Sequence, residues 1–155
     1  MRFRSIGYTP LMLLAQTCAL LGFACYAVVL APLQDEWQLS NLESGLIASV
    51  FFFGYMLAVP LATALTDRID ARKVYLVGGL SATCGLLGMS LLAHNFWTAL
   101  LFMAINAAGL AGTYMPGLKI LSDRIQSGEL ICHIAFYTAF FGIGTGFHTY
   151  ALDGF

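Results

Sequence analysis

A chain of 155 residues with 59% hydrophobic and only 10% charged side chains is not built like a soluble domain, which carries about 25% charge. Its net charge of −1 gives no electrostatic basis for binding nucleic acid. The mean hydropathy of +0.81 instead points to an all-α integral membrane protein with the lipid bilayer as its main partner. The four cysteines, Cys18, Cys25, Cys84 and Cys132, fall inside apolar runs. None has the spacing of a zinc site or a disulfide framework, so they read as small packing residues, and no metal or cofactor is expected.

Five apolar runs follow one another. Arg2 and Arg4 precede the first, whose roughly 20 residues suit a full crossing better than the core of a signal peptide. It is read as a span over 11–32, with Gln16 and Tyr26 as its polar groups. A connector over 34–41 contains no Lys or Arg and offers Trp37 as an interfacial anchor. The second span, 43–65, holds Gly54 and Ala58 as a small-xxx-small pair and Pro60 as a permitted bend. The stretch Leu65 to Lys73 then packs five charges into nine residues, which must lie in a short turn at one membrane surface.

The third span, 74–93, has only Ser81, Thr83, Cys84 and Ser90 as polar groups, each able to bond its own backbone. That plainness suits a helix facing lipid. His94 to Trp97 is so short a turn that the third and fourth spans must be antiparallel neighbours. The fourth span, 96–118, carries Asn106 near its middle, then Gly109, Gly112, Tyr114 and Pro116. A polar, amphipathic connector is expected over 119–129. The fifth span, 130–152, holds a Gly-xxx-Gly pair, Gly142 with Gly146, and a helical stripe of Thr138, Thr145, His148 and Thr149.

Five crossings put the termini on opposite sides. All seven Lys and Arg residues (Arg2, Arg4, Arg68, Arg72, Lys73, Lys119 and Arg124) then fall on the side of the N-terminus. The positive-inside rule makes that side cytoplasmic, with the plasma (inner) membrane as the expected location.

The charged turn contains a misplaced carboxylate. A helix C-terminus presents partial negative charge, so Arg68 is favourable there and Asp67 is not. Asp67 therefore needs a cation or the N-terminus of another helix. A second copy of the pattern occurs later: Leu65-Thr66-Asp67-Arg68-Ile69 is echoed by Leu121-Ser122-Asp123-Arg124-Ile125. If the two loops are adjacent, crosswise pairs of Asp67 with Arg124 and Asp123 with Arg68 become available.

At Leu65, Asp67, Arg68, Arg72 and Lys73 the chain resembles the signature between the second and third helices of the major facilitator superfamily. Thr63 stands in place of its first glycine, and Asp70-Ala71 occupy the later glycine position with one extra residue. Tyr114 to Arg124, followed by Tyr137-Thr138-Ala139 and a glycine-rich fifth helix, resembles one branch of the same superfamily. The resemblance implies the first five helices of a six-helix N-terminal half, truncated in gene or protein, with a sixth helix and a second half as expected partners. It implies transport of a small solute by alternating access.

It further implies a cytoplasmic gating loop of Asp67, Arg68, Arg72 and Lys73, with Asp67 holding the halves together and Asp123 and Arg124 in a second loop. First and fourth helices lining a central cavity would make Gln16 and Asn106 substrate contacts, joined by Thr138, Thr145 and His148. Interhelical hydrogen bonding explains the same residues without a substrate. Gly142 and Gly146 would meet the other half, or pack within this one.

No phosphate loop, metal-ligand spacing or nucleophile elbow occurs, so an enzyme is not expected. The rival from another class is a small non-transporting subunit or regulator of a larger membrane complex. Neither substrate nor coupling ion follows from these residues.

Overall fold

The structure, a computed structural model, describes residues 30–124 together with Leu14, Tyr26, Ile134, Ala135 and Ala139. All regular structure among them is helical. Helix α1 is described over 30–37, and α2 (Asn41–Thr66), α3 (Ala71–Leu91) and α4 (Phe96–Arg124) follow. These last three are long and apolar enough to cross a membrane, and they correspond to the second, third and fourth spans expected. The fifth span and most of the first lie outside the described residues.

Two boundaries differ from expectation. The polar run 34–37 continues α1 instead of forming a connector, and the turn shrinks to 38–40. Gln38 ends the helix in a left-handed conformation, φ 52°, while its Nε2 donates to the Asp35 carbonyl at 2.6 Å. At the other side, α4 continues six residues beyond Leu118, to Arg124. Polarity marks where a helix leaves lipid, not where its backbone bonds stop. At about 1.5 Å per residue, the 29 residues of α4 reach about 43 Å, well past a hydrocarbon core of about 30 Å.

Each turn is closed by local hydrogen bonds that satisfy the free N–H groups of a helix start. Ser40 caps α2 in a reciprocal box: the Glu43 N–H donates to Ser40 Oγ at 3.2 Å, and the Ser40 N–H donates to Glu43 Oε2 at 2.8 Å. Asp70 caps α3 by accepting from the Arg72 N–H at 2.9 Å. Asn95 Oδ1 accepts from the Thr98 N–H at 3.0 Å at the start of α4. Several hydroxyls within the spans donate to their own backbone, as Thr83 does to the Gly79 carbonyl at 2.9 Å.

Helix α4 lies between the other two, packing along both while α2 and α3 barely meet. Its two contact faces are built differently. Toward α2 and the first span it offers Ala99, Met103, Ala107 and Leu110, which join Tyr26, Ile47 and Phe51 in one core. Tyr26 Oη donates to the Ser44 carbonyl at 3.1 Å, tying the first span to α2. Toward α3 the contact is mostly backbone. Gly78, Ala82 and Gly85 are buried on α3 opposite Asn106, Gly109 and Gly112, and Gly88 is buried under the Phe102 ring.

A Cβ added at Gly78 would stand 2.7 Å from the Gly112 carbonyl carbon, and one at Gly85 would stand 2.6 Å from the Asn106 nitrogen. The backbones therefore touch. Lipid supplies no hydrophobic drive between helices, so such close packing has to hold them. Opposite this seam, Leu76, Val77, Leu80, Leu87 and Leu91 face outward. The lipid-facing expectation for the third span thus describes one side of α3, and the glycine seam is the other. Gly54, also expected to pack, lies with its Cβ direction 3.3 Å from the Ala107 Cβ, on the α2 side. Gly142 and Gly146 lie outside the described residues.

The seam predicts unequal tolerance of alanine. Gly78→Ala should destabilise the bundle in detergent by about 1–3 kcal/mol, the usual cost of overpacking. Gly79→Ala, whose Cβ would meet only Thr113 Cγ2 at 4.0 Å, should stay within about 0.5 kcal/mol. Equal thermal shifts for the two variants would contradict the seam.

Candidate functional site

The last turn of α2 ends in free carbonyls that no N–H of its own helix can meet. Asp67 sits at its C-cap with φ −83° and ψ −18°, adding a carboxylate to that negative end. Lys119 of α4 answers both. Its Nζ donates to the Thr66 carbonyl at 2.8 Å and to Asp67 Oδ1 at 2.8 Å, with Thr66 Oγ1 a further 3.4 Å contact. The ammonium thereby finds an oxygen for each of its three protons.

The cation Asp67 needs is therefore Lys119, from the same bundle. Lys119 lies five residues before Arg124 on α4, level with the end of α2, and the pairing of Asp67 with Arg124 raised by the repeated pattern falls on a side chain outside the described residues. Arg124 closes α4. The Asp67 side chain is 73% exposed and that of Lys119 35% exposed. The ion pair alone is thus worth about 0–1 kcal/mol, and the bond to the Thr66 carbonyl gives Lys119 a second hold.

Around this contact lies a cleft of about 390 Å³, lined by Thr66, Ile69, Asp70, Ala71, Arg72, Lys119, Ile120 and Asp123. The turn of α2–α3 forms one wall and the end of α4 the other. Arg68, Arg72, Lys73 and Asp123 are all exposed at this end. The two charged segments expected on one side of the membrane are thus in contact. The opposite end carries Asp35, Glu36 and Glu43, with no Lys or Arg among the described residues there.

The polar groups at membrane depth sit elsewhere. Asn106 is buried, 2% exposed, with its Cβ facing Gly85 of α3, and its Nδ2 has no hydrogen-bond partner among the described residues. Thr113, seven residues on, is buried and donates to the Leu110 carbonyl at 2.8 Å, with its Cγ2 toward Gly79. Both belong to the α3–α4 seam. Gln16, Thr138, Thr145 and His148 lie outside the described residues.

Lys119 is the site residue that sequence reasoning passed over, counted only as a positive charge in a connector. A signal for it existed. Gly109, Gly112, Pro116, Lys119 and Asp123 repeat at three and four residues, so Lys119 continues the packed stripe of α4 toward the α2–α3 turn.

Membrane-length helices joined by a charged turn, with that turn tied to a neighbouring helix end, define a polytopic bundle polarised in charge. The family model of the Major Facilitator Superfamily matches residues 12–151, and the chain belongs to that superfamily. Among its relatives, the voltage-gated purine nucleotide uniporter SLC17A9 of Rattus norvegicus is 31% identical over 126 residues, 76% of this chain and 28% of its own length. Protein spinster homolog 3 of Danio rerio is 27% identical over 121 residues, 77% of this chain and 24% of its own. Monocarboxylate transporter 6 of Homo sapiens is 30% identical over 104 residues, 65% of this chain and 20% of its own. The chain spans about a quarter of the length of the first curated relatives it matches. No solved structure matches it.

Because Lys119 serves three oxygens, two of them on Thr66, and Asp67 only one donor, their substitutions should differ. Lys119→Met should cost about 1 kcal/mol of stability, and Asp67→Asn less than about 0.5 kcal/mol. A double-mutant cycle in detergent should give a coupling within about 1 kcal/mol. An Asp67→Asn loss equal to that of Lys119→Met would show that the carbonyl contact contributes nothing.

Proposed function

We propose that this chain supplies five spans of the N-terminal half of a secondary transporter, which moves a small organic solute by alternating access. The observation that carries the reading is the tie of the α2–α3 turn to α4 through Lys119, in a chain of this superfamily. The relatives named as a nucleotide uniporter and a monocarboxylate transporter support a solute as cargo. Each is about four times longer than the matched segment or more, so a second body is available in proteins of this kind to rock against the first.

The geometry suits a contact that is made in one state and released in another. Asp67 spends Oδ1 on Lys119, yet its carboxylate stays largely exposed. It is held in place and still reachable from outside the bundle. A second half bearing a helix N-terminus or a cation could meet it there, and solute binding would shift the balance between met and unmet states. In this reading the charged end faces the cytoplasm, as does the N-terminus, and five crossings put residue 155 on the other side. The distribution of Lys and Arg supports that orientation.

Orientation is tested with single cysteines on a background whose native cysteines are serine. A membrane-impermeant maleimide added to intact cells should label Ser40→Cys and leave Ser122→Cys unlabelled until the cells are opened. The reverse pattern would invert the topology. In proteoliposomes of the protein encoded by the intact gene, with a solute found by screening nucleotides and monocarboxylates, Asp67→Asn should lower turnover about fivefold, the effect of an exposed charge pair. Its KM should stay within about twofold. A rise in KM with unchanged turnover would place Asp67 in solute binding and contradict its role as a latch.

A further inference from the structure

We propose that Tyr55 of α2 and Tyr114 of α4 form a hydrogen-bonding wall for the cargo, one that meets an uncharged hydroxyl, carbonyl or amide group. The assignment deepens the transport reading and rests on it.

Hydroxyls at membrane depth need partners, because lipid offers none. Short ones in these helices find theirs on their own backbone. Ser49 donates to the Gly45 carbonyl at 2.7 Å, Thr63 to that of Val59 at 2.9 Å and Thr113 to that of Leu110 at 2.8 Å. A phenol is too long and rigid to turn back on its own helix, so it needs a partner across a gap. Tyr26 has one in the Ser44 carbonyl, at 3.1 Å. The Tyr55 hydroxyl makes no hydrogen bond among the described residues.

Packing places that hydroxyl on the inner side of α2. Tyr55 lies against the core that contains Phe51 and Ala107, while Phe52, Phe53, Met56 and Leu57 face outward. Two contacts fix α4 beside it: Gly54 meets Ala107, and the Thr66 carbonyl accepts from Lys119. Tyr55 and Tyr114 both fall between those contacts, and the two phenols are close enough to act on each other electrostatically. Both keep part of their surface open. Asn106 differs, being sealed at 2% exposed with its Cβ against Gly85.

The surroundings narrow what the wall can hold. From Ser44 to Thr66, and again from Val74 to Leu118, the chain has no Asp, Glu, Lys or Arg. An ionised group at the wall would give up water without gaining a counter-charge, which is costly. A phenol offers one donor and acceptor lone pairs, the match for a neutral hydroxyl, carbonyl or amide. Any charge on the cargo is therefore met elsewhere.

Two measurements test the wall in proteoliposomes of the protein encoded by the intact gene. With native cysteines replaced by serine, Tyr55→Cys and Tyr114→Cys should react with a small water-soluble methanethiosulfonate. Met103→Cys in the core and Leu80→Cys on the outer face of α3 should not. With L-lactate or AMP as the transported probe, Tyr55→Phe and Tyr114→Phe should each raise KM about fivefold at unchanged turnover, the worth of one neutral hydrogen bond. Tyr26→Phe, whose phenol is already spent on Ser44, should leave KM within about twofold. For L-lactate the rise should vanish when propionate, which lacks the hydroxyl, replaces it. Uptake of neither probe would count against the transport reading, and the labelling would still decide whether the wall is open. Cysteines unlabelled at both positions, KM values that neither Phe variant alters, or an equal rise with propionate would overturn the proposal.

Discussion

The approach of α3 to α4 within backbone contact, at Gly78 and Gly85 on one side and Gly109 and Gly112 on the other, sets the position of everything else described in this bundle. Lipid tails are as apolar as leucine, so two helices gain little by hiding leucines from them. They gain from many close contacts, and glycine is what lets whole backbones supply those. Once the seam is engaged, the register of α3 on α4 has little freedom, because a shift brings the Ala82 and Asn106 side chains into the opposing backbone. The charged turn at the start of α3 is thereby delivered to the side of α4 that carries Lys119.

What happens at that end is a problem in electrostatics with a local solution. A helix C-terminus and a carboxylate one residue beyond it both present negative charge, and each would be costly to leave beside the other. One ammonium from a neighbouring helix meets both. The Asp67 carboxylate is largely exposed, so solvent screens the pair. The structure thus joins a seam held by backbone packing to a helix end where buried Leu121 stands beside a partly exposed ion pair.

Much of the fold was legible because the bilayer imposes one rule on sequence, an unbroken apolar run for each crossing. That rule is silent once a helix emerges. The run from Gln34 to Trp37 and the one from Lys119 to Arg124 looked like connectors for their polarity, yet their backbones keep the helical ladder. Hydropathy is equally silent about direction around the helix. Asn106 read as a cavity residue because it is polar and deep; its backbone and Cβ lie against Gly85 of α3, and contact with a solute is a matter of proposal. Asp67 was recognisable as a carboxylate in need of a cation from its place at a helix end. The identity of that cation required the seam, since only the register of α3 on α4 brings Lys119 there. Gln16, Thr138, Thr145 and His148 lie outside the described residues, so their part in a cavity is a matter of proposal alone.

The central claim is that α4 stands between α2 and α3, in glycine-mediated contact with both. Disulfide mapping in native membranes tests it most directly. The Gly79 Cβ direction lies 4.0 Å from Thr113 Cγ2, and that of Gly54 lies 3.3 Å from the Ala107 Cβ, both within reach of a disulfide after small adjustment. Oxidation of the cysteine pairs 79 with 113 and 54 with 107 should give intramolecular cross-links in high yield, while the pair 54 with 79, on helices that barely meet, should give none. Efficient linkage of 54 to 79, or failure of both pairs to α4, would contradict the arrangement.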